Sequence, residues 1–486
     1  MAMAFVLAGT HSLRVRTLAR ALACASVLVL PACNHIVEPV NVLGDTLALQ
    51  IVRMDGGSGM ALVSNGIPLP RGLPPDSTTH FALIIAGHEQ PIHVEALAGR
   101  YPDGSARALL LQFQYPVNAG SPVPALLIAG PSVTRGTTDL PKTTVTGNIP
   151  AAAALPTSPT YLVSTEVVGQ TITRAASPAT PAVFPSWETD FVTYGDQHWA
   201  TESGQWLYDY YDRALIWYAW WVRTGNPEYW RRGTIDAVAY RQQFIEPSYT
   251  MQPNDAQLEG VALHYLLTGD EQSRYAVARV AAVFSDVWTP VLDCTACTGG
   301  GQYVEGRIQA RTLQSHYLSW MIDAVGDEPR HWLDEMATDV TKILSTQGAD
   351  GSYRFAEWEG SHSNYMTGLM HDMLIKYYTY VQADSRIPPA IKKTLDWMWS
   401  TQWVSSAQAF KYVSEDMSTG TTAPAPDLNL LIVTGYAWYY KHSGNATYKT
   451  EADAIFAGGV NGAYLTGYKQ FNQNYTSSYR YLFYRQ

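Results

Sequence analysis

Between Asp45 and Arg174 apolar residues come in short runs, LALQIVRM, HFALIIAG, IHVEAL, ARALLLQFQY, ALLIAG and TYLVSTEVV, separated by Gly, Pro, Asn and Asp. Runs of that length between turn residues predict strands, and their spacing predicts a β-sandwich over 45–174. Ala175 to Pro185, AASPATPAVFP, is rich in Pro and Ala, so a linker is expected over 175–187. From 188 to 486 the period changes to that of helices. Apolar-aromatic segments such as YDRALIWYAWWVRTGN precede short polar breaks, and others such as PEYWRRGTIDAVAYRQQF follow them. The breaks are Thr224-Gly225-Asn226, Thr268-Gly269-Asp270, Gly326-Asp327, Ala383-Asp384 and Ser443-Gly444-Asn445.

Successive breaks lie roughly 44 to 60 residues apart, the period of a helical-hairpin repeat, and a lone hairpin leaves an apolar face that only a stacked neighbour buries. Five hairpins, with further helices at Asp196–Glu202 and in FNQNYTSSYRYLFYR, predict an incomplete (α/α) toroid. The fold class expected is α+β multidomain: an N-terminal β-sandwich, then the toroid over 188–486. The longer connections, 246–254, 289–305, 348–364 and 402–428, all fall at the end opposite the tight turns. The mouth is expected there, ringed by the N-termini of alternate helices, whose unpaired N–H groups and partial positive charge suit an anion or a sugar.

Around this mouth the pattern places His198 and Trp199 on the first helix, Asn254, Asp255 and Glu259 on the third, and Glu305, Arg307 and Arg311 on the fifth, with His316 deeper. Glu357, Trp358, Glu359, His362, Asn364 and Tyr365 lead into the seventh. Elimination on a uronate needs a group that neutralises the carboxylate, a base for the C5 proton and an acid for the leaving oxygen. His362, Asn364 and Tyr365 supply those types and are the catalytic candidates. Arg307 and Arg311, one helical turn apart, suit a carboxylate. Trp358, Glu359, Asn254, Asp255, His198 and Trp199 complete the substrate-binding candidates. Structural alternatives stand beside each: His362 capping its helix with Tyr365 packed, the arginines salt-bridged to Glu305 or Asp255, and Asn254-Asp255 serving as an N-cap pair. So does hydrolysis, with Asp255 or Glu259 facing Glu357 or Glu359 across the cleft.

Asn65-Gly66-Ile67-Pro68-Leu69-Pro70-Arg71-Gly72 and Arg100-Tyr101-Pro102-Asp103-Gly104-Ser105-Ala106-Arg107 before ALLLQF resemble the N-terminal β-domain of the exo-rhamnogalacturonan lyase family, with Tyr101 where that family more often has tryptophan. A β-domain joined to a toroid resembles the (α/α)-toroid polysaccharide lyases and several glycoside hydrolase families. Gln347-x-x-Asp350-Gly351-Ser352-Tyr353 looks like a turn common in α-toroid proteins. The resemblance implies a secreted lyase cleaving a uronate-containing acidic polysaccharide by β-elimination. The rival readings are a glycoside hydrolase and a non-catalytic glycan-binding lipoprotein.

A formal charge of -10 argues against a nucleic-acid partner. Aromatic residues at 12% beside charged residues at 15% suit sugar-stacking clefts and aromatic helix packing equally. Arg14, Arg16 and Arg20 precede an apolar run from Ala21 to Leu30, the pattern of a signal peptide over 1–33. Leu30-Pro31-Ala32-Cys33 resembles a bacterial lipobox, which implies a lipid anchor at Cys33, with simple signal cleavage as the alternative; the location expected is periplasmic or extracellular, as an outer-membrane lipoprotein if the anchor is made. With Cys24 in the leader, Cys294 and Cys297 remain, and an oxidising compartment favours a local disulfide. No phosphate loop, dinucleotide fingerprint or nucleophile elbow occurs, so no cofactor is expected, although a carboxylate-lined mouth suits Ca²⁺.

Overall fold

A computed structural model describes residues 46–72, 80–130, 133–145, 149–293, 304–355, 360–418 and 420–486. The signal peptide, Cys33, Cys294, Cys297, Glu357, Trp358 and Glu359 lie outside the described residues.

The strands β1 (Thr46–Arg53), β2 (Met60–Pro68), β3 (His80–Ile85), β4 (His88–Gln90), β5 (His93–Ala96), β6 (Ala108–Pro116), β7 (Val123–Gly130) and β8 (Ala152–Pro156) form one eight-stranded sheet among the described residues, in the order β4-β3-β7-β1-β8-β2-β6-β5. The expected pair of sheets is replaced by this single hydrogen-bonded sheet. Neighbours pair antiparallel except β2 with β8, whose parallel seam has one register pair, Val63 opposite Ala152. The buried Asn65 amide extends that seam: Nδ2 donates to the Ala154 carbonyl at 2.9 Å and Oδ1 accepts from the Ala154 N–H at 2.6 Å. TYLVSTEVV, expected as a strand, instead holds helix α1 (Pro159–Ser164), because Ser158 Oγ accepts from the Tyr161 N–H and Pro159 pre-sets the first turn.

The chain then runs through α2 (Val183–Glu202), α3 (Arg213–Thr224), α4 (Pro227–Tyr240), α5 (Glu259–Thr268), α6 (Glu271–Val287), α7 (Gly306–Met321), α8 (Trp332–Ser345), α9 (Asn364–Tyr380), α10 (Ile387–Gln402), α11 (Asn429–Ser443), α12 (Ala446–Asn461), α13 (Tyr468–Tyr475) and α14 (Ser478–Tyr484). Helices α3, α5, α7, α9 and α11 touch in succession, and α13 touches both α11 and α3, so an inner ring closes. Helices α4, α6, α8, α10 and α12 each pack outside the inner helix that precedes them. Helix α2 takes the sixth outer place, against α12 and α13, with Trp187 packed 4.9 Å from Trp220 and 5.2 Å from Tyr475. The toroid is thus closed by its first and last helices, where an incomplete ring was expected. The N-terminus of α2 also reaches back into the stretch read as a linker.

The sheet packs on the C-terminal ends of α5 and α7. A Cβ added to Gly66 would sit 1.9 Å from the Leu266 carbonyl of α5, and one on Gly99 would sit 2.5 Å from the Met321 carbonyl of α7. Backbone approaches that close leave no room for a side chain. The Ala98 N–H donates to the Tyr265 hydroxyl at 2.8 Å, and the apolar core runs without interruption from strands to helices. One end of the ring is therefore shut, and the long connections hold the other.

Candidate functional site

At the uncovered end, α2 passes to α3 through a turn at Trp206–Asp209 and two consecutive left-handed residues, Tyr211 (φ 68) and Asp212 (φ 62). Non-glycine residues in that region carry strain, which surrounding contacts must offset. Here the Asp212 carboxylate accepts from the Leu215 N–H at 3.0 Å and from the Gly260 N–H at 3.0 and 3.2 Å, tying the starts of α3 and α5 together. A Cβ on Gly260 would meet Asp212 Oδ1 at 2.5 Å, so glycine is required for the approach. The strained turn presents Trp206, Leu207 and Tyr210 to a pocket of about 230 Å³ whose other walls are Tyr240, Phe244, Asp255, Gln257 and Tyr468. Trp206 stacks on Phe244 at 4.5 Å and 16°, making a flat apolar face at the rim.

Asp255 is the carboxylate that lines this pocket. Partial burial raises its pKa, against a smaller opposing pull from Arg307. The Asn254 amide donates to its Oδ1 at 3.1 Å, and the Tyr240 hydroxyl holds its backbone carbonyl. The pair therefore sits in the turn before α5 and does not serve as its N-cap, which is Leu258. Arg307, in the first turn of α7, pairs with Glu305 and donates through Nη1 to the Tyr210 hydroxyl at 3.0 Å. Behind the turn, Asp209 is buried with Oδ2 unpartnered; burial, then Asp212 and Asp236, push its pKa well up. Burial likewise lifts Asp212 to about 7.

Deeper on the axis, Glu259 accepts from Lys376 at 2.6 Å, Arg480 at 3.1 Å and Gln314 at 3.3 Å, while Asp372 receives Arg480 Nη1 on both oxygens at 3.0 Å. Burying charges is tolerated when they are paired in this way. Glu259 is therefore a node of the ring's interior and not a cleft carboxylate. Arg311 lies beside this network, held by amides alone: Nη2 donates to Gln257 at 2.8 Å and Nη1 to Gln314 at 2.6 Å. Neither expected partner, Glu305 or Asp255, pairs with it. Gln257 links it to the pocket wall.

His362, expected as a catalytic base or acid, is fully buried. Its Nδ1 accepts from the Tyr353 N–H at 3.0 Å, its Nε2 lies 3.3 Å from Thr367 Oγ1, and its ring packs edge-on against Trp397. Burial pulls its pKa down to about 3, so it stays neutral and unreachable; its work is to order the loop before α9. Asn364 is buried too, donating to the Lys411 carbonyl at 2.7 Å. Tyr365 is buried against Tyr412 at 5.6 Å, with burial raising its pKa. His198 is wedged between Glu202 and the Leu465 carbonyl, both at 2.9 Å. Trp199 lies under the guanidinium groups of Arg231 and Arg232 of α4, on the outer wall. Both belong to outer helix α2, where the repeat pattern predicts an inner one. Of the expected residues, Asp255 lines the pocket, while Asn254 and Arg307 bond to the lining residues Asp255 and Tyr210 from behind. Trp206, Tyr210, Phe244 and Tyr468 went unsuspected, although GQWLYDYYD, dense in aromatics and acids before an inner helix, carried the signal.

A second constellation has the distances of a nucleophilic triad: Ser285 Oγ to His316 Nε2 is 2.9 Å and His316 Nδ1 to Asp339 is 2.6 Å. Ser285 stands in the last turn of α6, where free carbonyls point, so no N–H pair is available to hold an oxyanion. The relay joins α6, α7 and α8 as a structural lock. Among the described residues no group of three or more His, Cys, Asp or Glu is placed to hold a metal, so none supports the Ca²⁺ site envisaged at the mouth. No described helix is long and apolar enough to cross a membrane.

No protein-family profile matches the sequence, and no curated protein matches it. Solved structures do. An unsaturated glucuronyl hydrolase specific for heparin aligns at 10% identity and TM-score 0.48, covering 62% of this chain and 95% of that one. The unsaturated glucuronyl hydrolase of Bacillus sp. GL1 aligns at 10% identity and TM-score 0.40, over 54% and 76%. A D-mannose isomerase aligns at 12% and 0.37, over 55% and 83%. Similarity at that level bears on neither the reaction nor the substrate of this chain.

Proposed function

We propose that this chain cleaves glycosidic bonds of an acidic glycan in the Trp206–Asp255 pocket, as an exported enzyme, with Asp255 giving a proton to the leaving oxygen. The observation that carries this is the placement of Asp255: a pocket-lining carboxyl, raised in pKa by burial, beside the stacked face of Trp206 and Phe244. A general acid must be protonated at the working pH, and a raised pKa extends that window upward. Hydrolysis is the preferred outcome. Asp255→Asn should lower kcat about 10²- to 10⁴-fold while leaving the unfolding midpoint and oligosaccharide affinity near wild type. Turnover unchanged in Asp255→Asn would remove the acid from the scheme.

Elimination is the second reading, favoured by one contact: the Arg307 guanidinium on the Tyr210 hydroxyl at 3.0 Å, which puts a group able to neutralise a carboxylate beside one able to exchange a proton. The two part on products, because elimination leaves an unsaturated uronate that absorbs in the ultraviolet. The roles first given to His362, Asn364 and Tyr365 pass to Asp255, Arg307 and Tyr210.

A further inference from the structure

Lys469, in the first turn of α13, holds its ammonium over the ring of Tyr210, 5.1 Å from the centroid. Arg307 reaches the hydroxyl of the same tyrosine from α7. The rim thus brings two cations from opposite parts of the ring to one pocket-lining side chain. Glu305 answers Arg307, but no ion pair forms on Lys469 among the described residues; the carboxylate that acts on it, Asp427, does so from a distance. Asp427 itself receives the Gln473 amide at 3.1 Å. Lys469 is drawn partly out of water, and burial, then Arg307, lower its pKa. Lys469 thus stands beside the Arg307–Glu305 pair with no ion pair of its own among the described residues, and a cleft with apolar walls strengthens its attraction for an anion.

Resting on the proposed glycan site, we infer that Lys469 and Arg307 form an anion-reading subsite at the edge of the Tyr210 ring. It selects a sugar carrying a carboxylate or sulfate while the neighbouring ring lies on Trp206. Lys469 is thus a specificity-determining residue, contributed by the helix that closes the toroid.

The test is calorimetric titration of the intact chain and of Lys469→Met, which keeps the aliphatic stem over Tyr210. Three probes are used: a uronate oligosaccharide, the same oligosaccharide with its carboxyls reduced to alcohols, and a sulfated neutral oligosaccharide. The expected result is a preference for a charged probe over the reduced one of about tenfold, lost in Lys469→Met, which binds the reduced probe as wild type does. Which charged probe loses affinity identifies the anion. An equal loss on the reduced probe, or a preference that survives the substitution, overturns the subsite while Asp255-dependent cleavage still stands. Wild-type chain that binds none of the probes overturns the subsite together with the glycan reading.

Discussion

The two ends of the inner helices are built on opposite plans. At the covered end the tight turns carry both caps in three letters. Gly225, Gly269 and Gly444 close α3, α5 and α11 in the left-handed conformation, and Asn226, Asp270 and Asn445 accept the first N–H groups of α4, α6 and α12. At the open end, α7, α9 and α11 begin without a side-chain cap. Such helix starts leave backbone N–H groups without a side-chain acceptor and carry a partial positive charge. There Asp212 caps α3 and also accepts the Gly260 N–H in the first turn of α5. One end puts polar side chains into caps, and the other leaves three of its helix starts without them.

The largest break in that comparison comes from the covered end. Gly66→Val forces a side chain into the Leu266 carbonyl, and overpacking of this kind costs about 3 kcal/mol. The loss should appear as a lower denaturant midpoint. Activity per folded molecule should hold, since the sheet touches nothing in the pocket. Cleavage lost at full stability would place the sheet in the chemistry.

Next comes acid. His264, His362 and His371 are buried, and burial pulls their pKa values to about 4, 3 and 3. Each stays neutral in the fold, whereas the unfolded chain binds a proton near the ordinary histidine value of about 6.5. The stability they hold is therefore complete above that value and is lost as pH falls from about 6.5 toward 3. Each adds a slope of about 1.4 kcal/mol per pH unit in that window. His362→Gln should make the acid limb shallower by about that amount, with kcat within about twofold of wild type. A collapse in kcat with intact stability would return His362 to catalysis.

These contrasts also show what could be read in the chain beforehand. Thr-Gly-Asn, Thr-Gly-Asp and Ser-Gly-Asn announce a helix stop and a helix start within three residues, because left-handed backbone favours glycine and a first turn favours a short polar acceptor. The hairpins and the end that bears the mouth followed from them. The closure of the ring did not, because α2 and α13 meet across almost the whole toroid and nothing local marks the pairing. Nor did the direction of the rim residues. A loop His-x-Asn-Tyr suits a base, a carboxylate anchor and an acid, yet the same types satisfy a buried loop, and only packing chose. The Asp-Gly-Ser turns show the reverse case. At Asp103-Gly104-Ser105 and Asp350-Gly351-Ser352 the aspartate accepts from the serine N–H at 3.0 Å and from its hydroxyl at 2.6 and 2.7 Å, so both are turns in their own right and carry no chemistry.

The smallest effect sharpens the contrast most directly. Asn445 accepts from the Thr447 N–H at 3.0 Å on an exposed turn, so Asn445→Ala should cost about 1 kcal/mol, the ordinary worth of a cap. Ser363 occupies the same position before α9 at the open end, but it is buried, makes no capping bond, and leaves Oγ without a partner. Burying an unpaired hydroxyl is itself unfavourable. Ser363→Ala should therefore be neutral or slightly stabilising, the opposite sign for the same substitution class. Chemical denaturation of the two variants side by side decides it. Equal losses would mean that the open end is capped after all.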